Sequence, residues 1–591
     1  MKAFWKKNNS IVVSSVAFAF LMGVFGPVEF YLTNIYNVWY DIYNILPMCI
    51  LSFVLMFVVL TLIGVVMNCE SKKGKIYIYA LAVLTICLYI QGNFIKIPYG
   101  ELNGETIEWD KFAGDELKSS LVWIALIAIA VIIYRKKQSE KLFSVLKIVM
   151  ICLIIVQIFT IIVVGATGEG FKAKKSMRPV DENAFLYSKD ENFIILVLDT
   201  FDSRVFEGFI LDGNEQKVAG QYEDFTYYRD TMGMFTLTNY AFPHIMTGEK
   251  YLGDMYYGEY IEQAYEKSPL LRRLKDENWN VRIHTDQPLP ENSRDYFENA
   301  KEITYDVKDK REMFTGVYKL VLFKYIPTAL KRYVYYPYEY LEGCRKVKTI
   351  DGVLADECSY TEDEWENKAF YDSLGMINVG SEAKECQIYH LKGLHALRNL
   401  DENLQYINSA DEMYSLEQEA AVVSDIVSAW LDDLKKKSAY DNSTIIIMAD
   451  HGSVEYVSDE DNFAQCPLLM IKAKGEHHEF TISEAPVSYE DLQTVYSELL
   501  NGDSSEEVIE KAVPIDGKVE WETYMVEDLE NYGSRRWNAE NTERRRFMIF
   551  HRFAGNLGGK AKGSVGYELY SDYQAYFGSQ IQLTGKTFPE K

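Results

Sequence analysis

The stretch Asn192-Phe-Ile-Ile-Leu-Val-Leu-Asp199 decides the fold of the larger part of this chain. An uninterrupted and mostly apolar run, Asn192–Leu198, stands directly before an acidic residue. Short continuous apolar runs bounded by polar residues are typical of strands that are buried on both faces of a parallel sheet. The stretch therefore predicts a central strand of an α/β domain, with Asp199 at its carboxyl end.

Similar runs recur further along the chain, at Asn280–His284, Cys386–Leu391, Ser443–Met448 and Pro467–Ile471. Helical stretches lie between them, such as Leu416–Lys436, whose apolar face carries Ala420, Val423, Ile426, Trp430 and Leu434. Strands that alternate with helices predict a mostly parallel central sheet with helices on both faces. The last stretch, about Arg544 to Lys591, alternates apolar and polar residues and predicts a small antiparallel C-terminal addition.

The first 165 residues have a different pattern. They contain five apolar segments, at Ile11–Tyr31, Asn44–Met67, Ile76–Ile95, Leu121–Tyr134 and Leu142–Val164. A bilayer core needs about 20 apolar residues, and flanking residues extend the two shorter segments. Buried core helices of a soluble protein are the alternative, but five such runs so close together favour an N-terminal bundle of five transmembrane helices.

The basic residues beside these segments predict an orientation. They precede the first segment or lie between segments two and three and between segments four and five, at Lys2, Lys6, Lys7, Lys72, Lys73, Lys75, Arg135, Lys136, Lys137 and Lys141. The long loop Lys96–Ser119 is instead rich in Asp and Glu. By the positive-inside rule, the N-terminus is cytoplasmic and everything after residue 165 is extracytoplasmic, as in a multi-pass plasma-membrane protein.

The charge is also divided between two parts of the chain. The formal net charge is −25, but residues 1–165 hold 14 Lys and Arg against 10 Asp and Glu, so the acidity belongs to the later residues. A chain this acidic is a poor candidate for nucleic-acid binding, which depends on basic patches. We predict a transmembrane domain at 1–165, a linker at 166–190, a catalytic core at 191–535 and the C-terminal β addition at 536–591.

Polar residues follow three of the predicted strands. Asp199 ends the first, the segment Lys392–His395 follows another, and Asp450 and His451 follow a third. Ligands collect at the carboxyl ends of strands in such sheets. Carboxylate and imidazole donors at one edge suit Zn²⁺ or Mn²⁺, so these residues predict a metal site.

These residues resemble the alkaline phosphatase superfamily, in its sulfatase-like branch of membrane phosphotransferases, which includes lipoteichoic acid synthases and lipid A phosphoethanolamine transferases. In that family an acidic residue ends the first strand, as Asp199 does, and a nucleophilic Thr begins a helix some forty residues later. Thr238 matches it, within a segment that keeps the family's spacing to Pro243 and its Thr-Gly ending. The family's Asp-His-Gly pair matches Asp450 and His451.

The resemblance implies one divalent metal ion, Mn²⁺ or Zn²⁺, held by Asp199, Thr238, Asp450 and His451. It implies that Thr238 is the catalytic nucleophile, with Thr236 as the rival. The paired histidines of the phosphoethanolamine transferases, five residues apart, match His390 and His395. We expect His395 to protonate a leaving oxygen or to bind phosphate. We expect His390 and Thr236 to contribute to substrate binding, with His390 capping or orienting rather than ligating.

Two departures from the family narrow the expected activity. The sulfatase motif C/S-x-P-S-R, whose first residue becomes formylglycine, is missing, and the aligned residue is Thr238. The stretch after Asp-His-Gly also lacks the further histidine of the phosphoethanolamine transferases. The first departure disfavours a true sulfatase, and the second leaves the phosphoethanolamine donor open.

The sequence thus predicts a membrane-anchored phosphotransferase of the cell envelope. It would move glycerol phosphate or phosphoethanolamine from a phospholipid donor, through a Thr-phosphate intermediate, to a glycan or lipid acceptor. The alternatives are an ester hydrolase of the same fold, acting on sulfuric or phosphoric esters, and a non-catalytic relative. Val317–Tyr340, which mixes basic, aliphatic and aromatic residues, is either an interfacial segment that attracts anionic phosphatidylglycerol or an ordinary core helix with a loop.

Overall fold

The computed structural model divides the chain into two compact units, residues 1–175 with 304–349, and residues 176–303 with most of the chain after 350. It describes residues 2–35, 38–97, 99, 107, 109–136, 140–168, 170–172, 175–229, 231–235, 237–251, 257–287, 289–355, 366–395, 400–405, 414–452, 466–483, 485, 487–512, 517–525, 546–554 and 566–570.

The first unit contains five helices that are long and apolar enough to cross a membrane, at Asn9–Thr33, Ile42–Val66, Lys72–Phe94, Trp109–Lys136 and Glu140–Thr167. They coincide with the five predicted segments. Their surfaces expose many large aliphatic side chains, including Leu51, Ile124 and Ile155. Exposed apolar surface of this extent is what lipid covers in a membrane protein.

A further helix, Lys310–Tyr325, belongs to the same unit and packs on these apolar helices. A side chain on Gly92 would collide with the ring of Tyr325, at 2.5 Å, so glycine permits the close approach there. The face that carries Val317, Leu320 and Val321 is buried. The shorter helices Thr328–Lys331 and Glu339–Glu342 follow. For Val317–Tyr340 the sequence left two interpretations, an interfacial segment or a core helix with a loop. Its first half, up to Tyr325, packs as a core helix does.

The second unit is built around a seven-stranded sheet. In chain order its strands are β1 (Asn192–Leu198), β2 (Thr226–Tyr228), β3 (Asn280–His284), β4 (Glu385–Leu391), β5 (Ser443–Met448), β6 (Leu469–Lys472) and β7 (Thr481–Ser483). Their spatial order is β7-β2-β6-β5-β1-β4-β3. The sheet is mixed, because β6 pairs antiparallel with both of its neighbours while the other pairs are parallel.

Each face of this sheet is covered by its own hydrophobic core. Alternate residues of β1 point to opposite faces, so that Phe193, Ile195 and Val197 lie in one core and the residues between them in the other. The first core takes side chains from the helices Thr238–Thr247, Tyr257–Lys267, Pro269–Asp276, Leu492–Asn501 and Ser505–Ala512. The second takes them from Ser203–Val205, Phe206–Leu211, Glu215–Gln221, Asn367–Asp372 and Leu416–Lys436. The predicted α/β domain with helices on both faces is confirmed.

Two short strands lie in the segment predicted as a linker. Ser176–Pro179 pairs antiparallel with the start of Ala300–Val307, and Leu186–Ser188 pairs parallel with Asn378–Ser381. Their partners are distant in the sequence, so no local pattern marks them. The remaining strands are Thr231–Met232, Arg345–Ile350, Val353–Leu354 and Val487–Ser488.

An antiparallel sheet lies in the C-terminal part, as the alternating pattern predicts. Its strands are Gly517–Met525, Arg546–Ala554 and Gly566–Tyr570. The first of these precedes residue 536, the predicted start of the addition.

Candidate active site

The carboxyl ends of β5, β1 and β4 bring three buried polar side chains together. These strands are adjacent and parallel, with Met448 paired to Val197 and Leu391 paired to Leu198. Asp199, His390 and Asp450 therefore meet at one edge of the sheet. A ligand atom from each lies within 4.8 Å of the other two.

Thr238 reaches the same place from the helix Thr238–Thr247, of which it is the first residue, as predicted. Its Oγ1 lies 3.4 Å from Asp199 Oδ2 and 3.3 Å from His451 Nε2. His451 Nε2 lies 3.7 Å from Asp199 Oδ1 and 3.6 Å from Asp450 Oδ2. A hydroxyl at a helix N-terminus also lies in the positive end of the helix dipole, where anions bind.

Both imidazoles turn the same ring nitrogen away from the cluster. His451 Nδ1 lies 2.8 Å from the Gly452 carbonyl oxygen, an acceptor, so Nδ1 carries the proton. His390 Nδ1 lies 3.0 Å from Thr285 Oγ1, and its ring stacks on Phe242 with 4.5 Å between centroids. With the proton on Nδ1, an imidazole has the lone pair of Nε2 available for a cation, an arrangement common among metal-bound histidines. His390 has this form when its Nδ1 donates to Thr285 Oγ1.

Two buried polar atoms of the cluster, His390 Nε2 and Asp450 Oδ2, have no hydrogen-bond partner among the residues that the structure describes. Buried polar atoms are nearly always paired, so a group is expected between them. The surrounding donors are carboxylate and hydroxyl oxygens and imidazole nitrogens, the set that Zn²⁺ and Mn²⁺ accept. The residues fit a divalent cation, with His390 as a further candidate ligand beside the four that the resemblance implies.

The pKa shifts in the cluster indicate an environment that would favour an added positive charge. Burial, and then repulsion from Asp450, raise the pKa of Asp199 above its ordinary value. Burial lowers the pKa of His390. At His451 burial also acts to lower the pKa, but attraction to Asp450 and Asp199 outweighs it, and the pKa is raised. Two close carboxylates in a buried site favour cation binding.

Backbone features hold Asp199 in position. Thr200 has a φ of +63°, and from there its Oγ1 donates to Asp199 Oδ1 at 2.6 Å and its N–H to Asp450 Oδ1 at 3.0 Å. Gly393 has a φ of +53°, and a Cβ on it would lie 2.4 Å from the Asp199 carbonyl oxygen. That carbonyl accepts the Leu394 N–H at 2.8 Å. The loop after β4 can pack this closely because residue 393 is glycine.

The sequence analysis missed two residues at this edge. Thr200 fixes the two carboxylates, and Thr285 contacts His390. Each directly follows a predicted strand, so the rule that picked out Asp199 and Asp450 would also have reached them. Neither is a usual metal ligand, which is why they did not stand out.

The other predicted site residues lie as follows. His395 has an exposed side chain, in the loop that begins at Lys392, and its charge acts to lower the pKa of Asp199. Thr236 lies outside the described residues. One residue that was not predicted also lies here. Asp286, after β3, pairs with Lys392 at 3.0 Å, and its Oδ1 is 4.0 Å from His390 Nδ1.

No protein-family model matches the sequence, and no curated protein is similar to it. Solved structures are similar at low identity. The phosphonate monoester hydrolase SpPMH from Silicibacter pomeroyi is 12% identical over 65% of this chain and 89% of that chain, with a TM-score of 0.34. The PsFucS1 sulfatase from Pseudoalteromonas sp. is 13% identical over 67% of this chain and 86% of that chain, with a TM-score of 0.33.

A protein in the alkaline phosphatase superfamily from Vibrio parahaemolyticus is 11% identical over 70% of this chain and 85% of that chain, with a TM-score of 0.32. At these identities and TM-scores, an activity for this chain has to follow from its own residues.

Proposed function

We propose that this chain is a metal-dependent phosphotransferase that is anchored in a membrane. It moves the headgroup phosphate of a phospholipid, as glycerol phosphate or phosphoethanolamine, to an envelope glycan or lipid. The transfer passes through a phosphate ester on Thr238. The observation that carries the proposal is the hydroxyl of Thr238, which lies at a helix N-terminus within 3.4 Å of Asp199 and 3.3 Å of His451.

A lone threonine hydroxyl is a weak nucleophile, and its surroundings supply the activation. Asp199, Asp450, His451 and Thr238 would hold a divalent cation, with His390 as a fifth candidate ligand. Such a cation lowers the pKa of a hydroxyl bound to it and offsets the charge of the phosphoryl oxygens. The helix that begins at Thr238 adds its N-terminal dipole for the same anionic group.

The chemistry is two successive displacements at phosphorus. In the first, Thr238 Oγ1 gives its proton to solvent and forms a bond to phosphorus, and the bond to the diacylglycerol oxygen breaks. That oxygen takes up a proton, for which the exposed His395 is the proposed donor. In the second, the acceptor hydroxyl gives its proton to the now neutral His395 and bonds to phosphorus, and Thr238 Oγ1 leaves and regains a proton from solvent. Thr238 is thus the nucleophile of the first displacement and the leaving group of the second, so the enzyme ends in its starting state.

A lipid donor agrees with the composition of the first unit. Its five helices have the length and apolarity of membrane spans, so a phospholipid and the enzyme would share one bilayer. We propose that the second unit faces the extracytoplasmic side, following the distribution of Lys and Arg between the spans. The formylglycine chemistry of sulfatases is disfavoured because residue 238 is Thr, which that oxidation does not use.

The test measures release of diacylglycerol by the purified full-length chain. Labelled phosphatidylglycerol and phosphatidylethanolamine are supplied in mixed micelles with Mn²⁺ or Zn²⁺, beside the variant Thr238→Ala. We expect release from one lipid, absent in the variant, which also identifies the donor. Absence of release from both lipids in a metal-loaded protein, together with hydrolysis of soluble phosphate or sulfate esters, would replace the transferase by a hydrolase.

A further inference from the structure

Three basic side chains of the first unit lie close together in the sequence, and two of them have a carboxylate partner. Lys324 forms an ion pair with Glu29. Arg332 Nη2 lies 2.5 Å from Glu116 Oε1. Lys331 stands between them in the sequence, and in the part of the chain that the structure describes no carboxylate or hydrogen-bond acceptor contacts its ammonium group.

Lys331 is nevertheless buried, with 5% of its surface exposed. Its Nζ lies 5.2 Å from the ring centroids of both Tyr99 and Phe323. Aromatic faces stabilise a cation, but by less than the several kcal/mol that burial of an unpaired charge costs. Burial, and then repulsion from Lys324, lower the pKa of Lys331 to about 8. None of the described residues supplies an anion to this ammonium.

Tyr99, one of the two rings beside Lys331, and Trp109, whose ring Tyr99 contacts, lie near the ends of two apolar helices. Tyr99 comes five residues after the helix Lys72–Phe94 ends, and Trp109 begins the helix Trp109–Lys136. The ring of Tyr99 contacts those of Trp109 and Phe323, with centroids 5.7 Å and 5.3 Å apart. Tyr and Trp at the ends of membrane spans lie at the level of the lipid headgroups. The anions abundant at that depth are lipid phosphates.

We propose that Lys331 is the centre of a binding site for the phosphodiester group of a membrane phospholipid. The ammonium pairs with a phosphate oxygen, and the aromatic rings of Tyr99 and Phe323 limit the access of water to that pair. No covalent step is involved. The site belongs to the first unit alone, and it does not depend on the assignment of Thr238 as a nucleophile.

The test measures the acetylation rate of the Lys331 amine in the full-length, delipidated chain in detergent, followed by peptide mass spectrometry. Three additions are compared, namely dioleoylphosphatidylglycerol in mixed micelles, dioleoylglycerol in the same micelles, and inorganic phosphate. Lys319, which lies on the same segment with an exposed side chain, is the internal control. We expect acetylation of Lys331 to slow at least about tenfold with a saturating amount of the phospholipid, and not with the other two.

Equal rates with the phospholipid and with dioleoylglycerol would overturn the proposal, because the phosphate would then contribute nothing. Equal protection by inorganic phosphate would overturn the assignment to a lipid. A second measurement counts phospholipids that remain bound to the chain in native mass spectrometry. Lys331→Met should lose one phospholipid that the wild type, Lys331→Arg and Lys319→Met retain, and retention by Lys331→Met would contradict the proposal.

Discussion

The two ends of strand β4 each carry a buried ionisable residue, and the two residues differ in how many hydrogen-bond and ion-pair partners surround them. At the amino end, Glu385 is fully buried, forms an ion pair with Arg282 and accepts hydrogen bonds from Asn280 Nδ2 at 2.9 Å and Ser381 Oγ at 2.6 Å. At the carboxyl end, no described residue forms a hydrogen bond with the buried His390 Nε2 or with the Oδ2 of the neighbouring Asp450.

This difference in pairing distinguishes a charge that stabilises the fold, at Glu385, from a group of residues suited to bind a ligand, around His390. Burial of an unpaired charge is costly, so a charge that serves the fold alone is neutralised by the protein itself, as Glu385 is. At the other end two buried carboxylates share one imidazole, with His451 Nε2 3.7 Å from Asp199 Oδ1 and 3.6 Å from Asp450 Oδ2. The nearby Lys392 pairs instead with Asp286. At the amino end of β4 the protein therefore neutralises the buried charge with its own residues. At the carboxyl end a bound cation would neutralise the two carboxylates.

The largest expected effect concerns turnover at the carboxyl end. Thr238→Ala removes the proposed nucleophile, and we expect diacylglycerol release to fall by at least about 10⁴-fold, as when other enzymes lose their nucleophile. Thr236→Ala, the matched change at the rival threonine, should keep most of the activity. Rapid quenching followed by peptide mass spectrometry should find the phosphate ester on residue 238 of the wild type.

Near-wild-type release by a folded Thr238→Ala protein, or a phosphorylated Thr236, would move the nucleophile to the rival residue. The group of side chains around Asp199 and His451 would then have a role other than activating Thr238.

The next effect concerns stability at the amino end. Glu385→Gln leaves the buried Arg282 without a counter-charge, and we expect a loss of about 3–5 kcal/mol in the free energy of unfolding. Thermal unfolding of the full-length chain in detergent, with chelator present, measures the loss as a lowered midpoint. The control is Asp433→Asn, which breaks the solvent-screened surface pair with Lys436 and should leave the midpoint nearly unchanged. A Glu385→Gln midpoint equal to that of the control would remove the basis for calling this end a structural pair.

The third effect should have the opposite sign in stability. Asp450→Asn removes one of two close carboxylates, and the repulsion that contributes to the raised pKa of Asp199 is relieved. In the metal-free chain at neutral pH we therefore expect a higher unfolding midpoint, because an ionised Asp199 costs less beside a neutral amide. Metal affinity should fall by about 100-fold or more, since loss of an outer-shell partner alone costs up to that much.

Calorimetric titration with Mn²⁺ and Zn²⁺ measures the affinity, and unfolding in chelator measures the stability. A lower midpoint for Asp450→Asn in chelator would mean that this carboxylate serves the fold, and the contrast between the two ends of β4 would disappear.

Sequence reasoning located the strands and helices that a local pattern of apolar residues predicts. A short, mostly apolar run predicts a strand buried on both faces, and β1 and β5 are found at their predicted bounds. β3 is also found at its predicted bounds, although it contains Arg282 and His284. The helix Leu416–Lys436 is also found as predicted, since it has an apolar stripe and a capping box that Ser415 begins. Asp199, Asp450 and His451 were identified because parallel strands end at one edge.

The parts that sequence reasoning did not locate depend on residues that are distant in the chain. The contact between His390 Nδ1 and Thr285 Oγ1 requires the register of β4 against β3, which no local pattern contains. The burial of Lys331 depends on Tyr99, more than two hundred residues earlier. A free Nε2 on His390 could be recognised only after every neighbour was known, so the sequence alone assigned that residue to substrate binding.

The smallest expected effect tests whether His390 is a ligand at all. Thr285→Val keeps the shape of the side chain and removes the oxygen that lies 3.0 Å from His390 Nδ1. If Nε2 binds the metal, Nδ1 must carry the proton, and the lost acceptor should lower metal affinity by about tenfold, the lower end for outer-shell partners. Thr285→Ser keeps the hydroxyl and should restore affinity.

The same hydroxyl also accepts the Gln287 N–H at 3.1 Å, so Thr285→Val should cost about 1 kcal/mol of stability whether or not His390 binds metal. The two readouts therefore separate the roles. A drop in the unfolding midpoint in chelator with unchanged metal affinity would leave Asp199, Thr238, Asp450 and His451 as the ligands and make His390 a residue that contacts substrate. A drop in both would make His390 part of the metal site, because only a ligand transmits the loss of Thr285 to the cation.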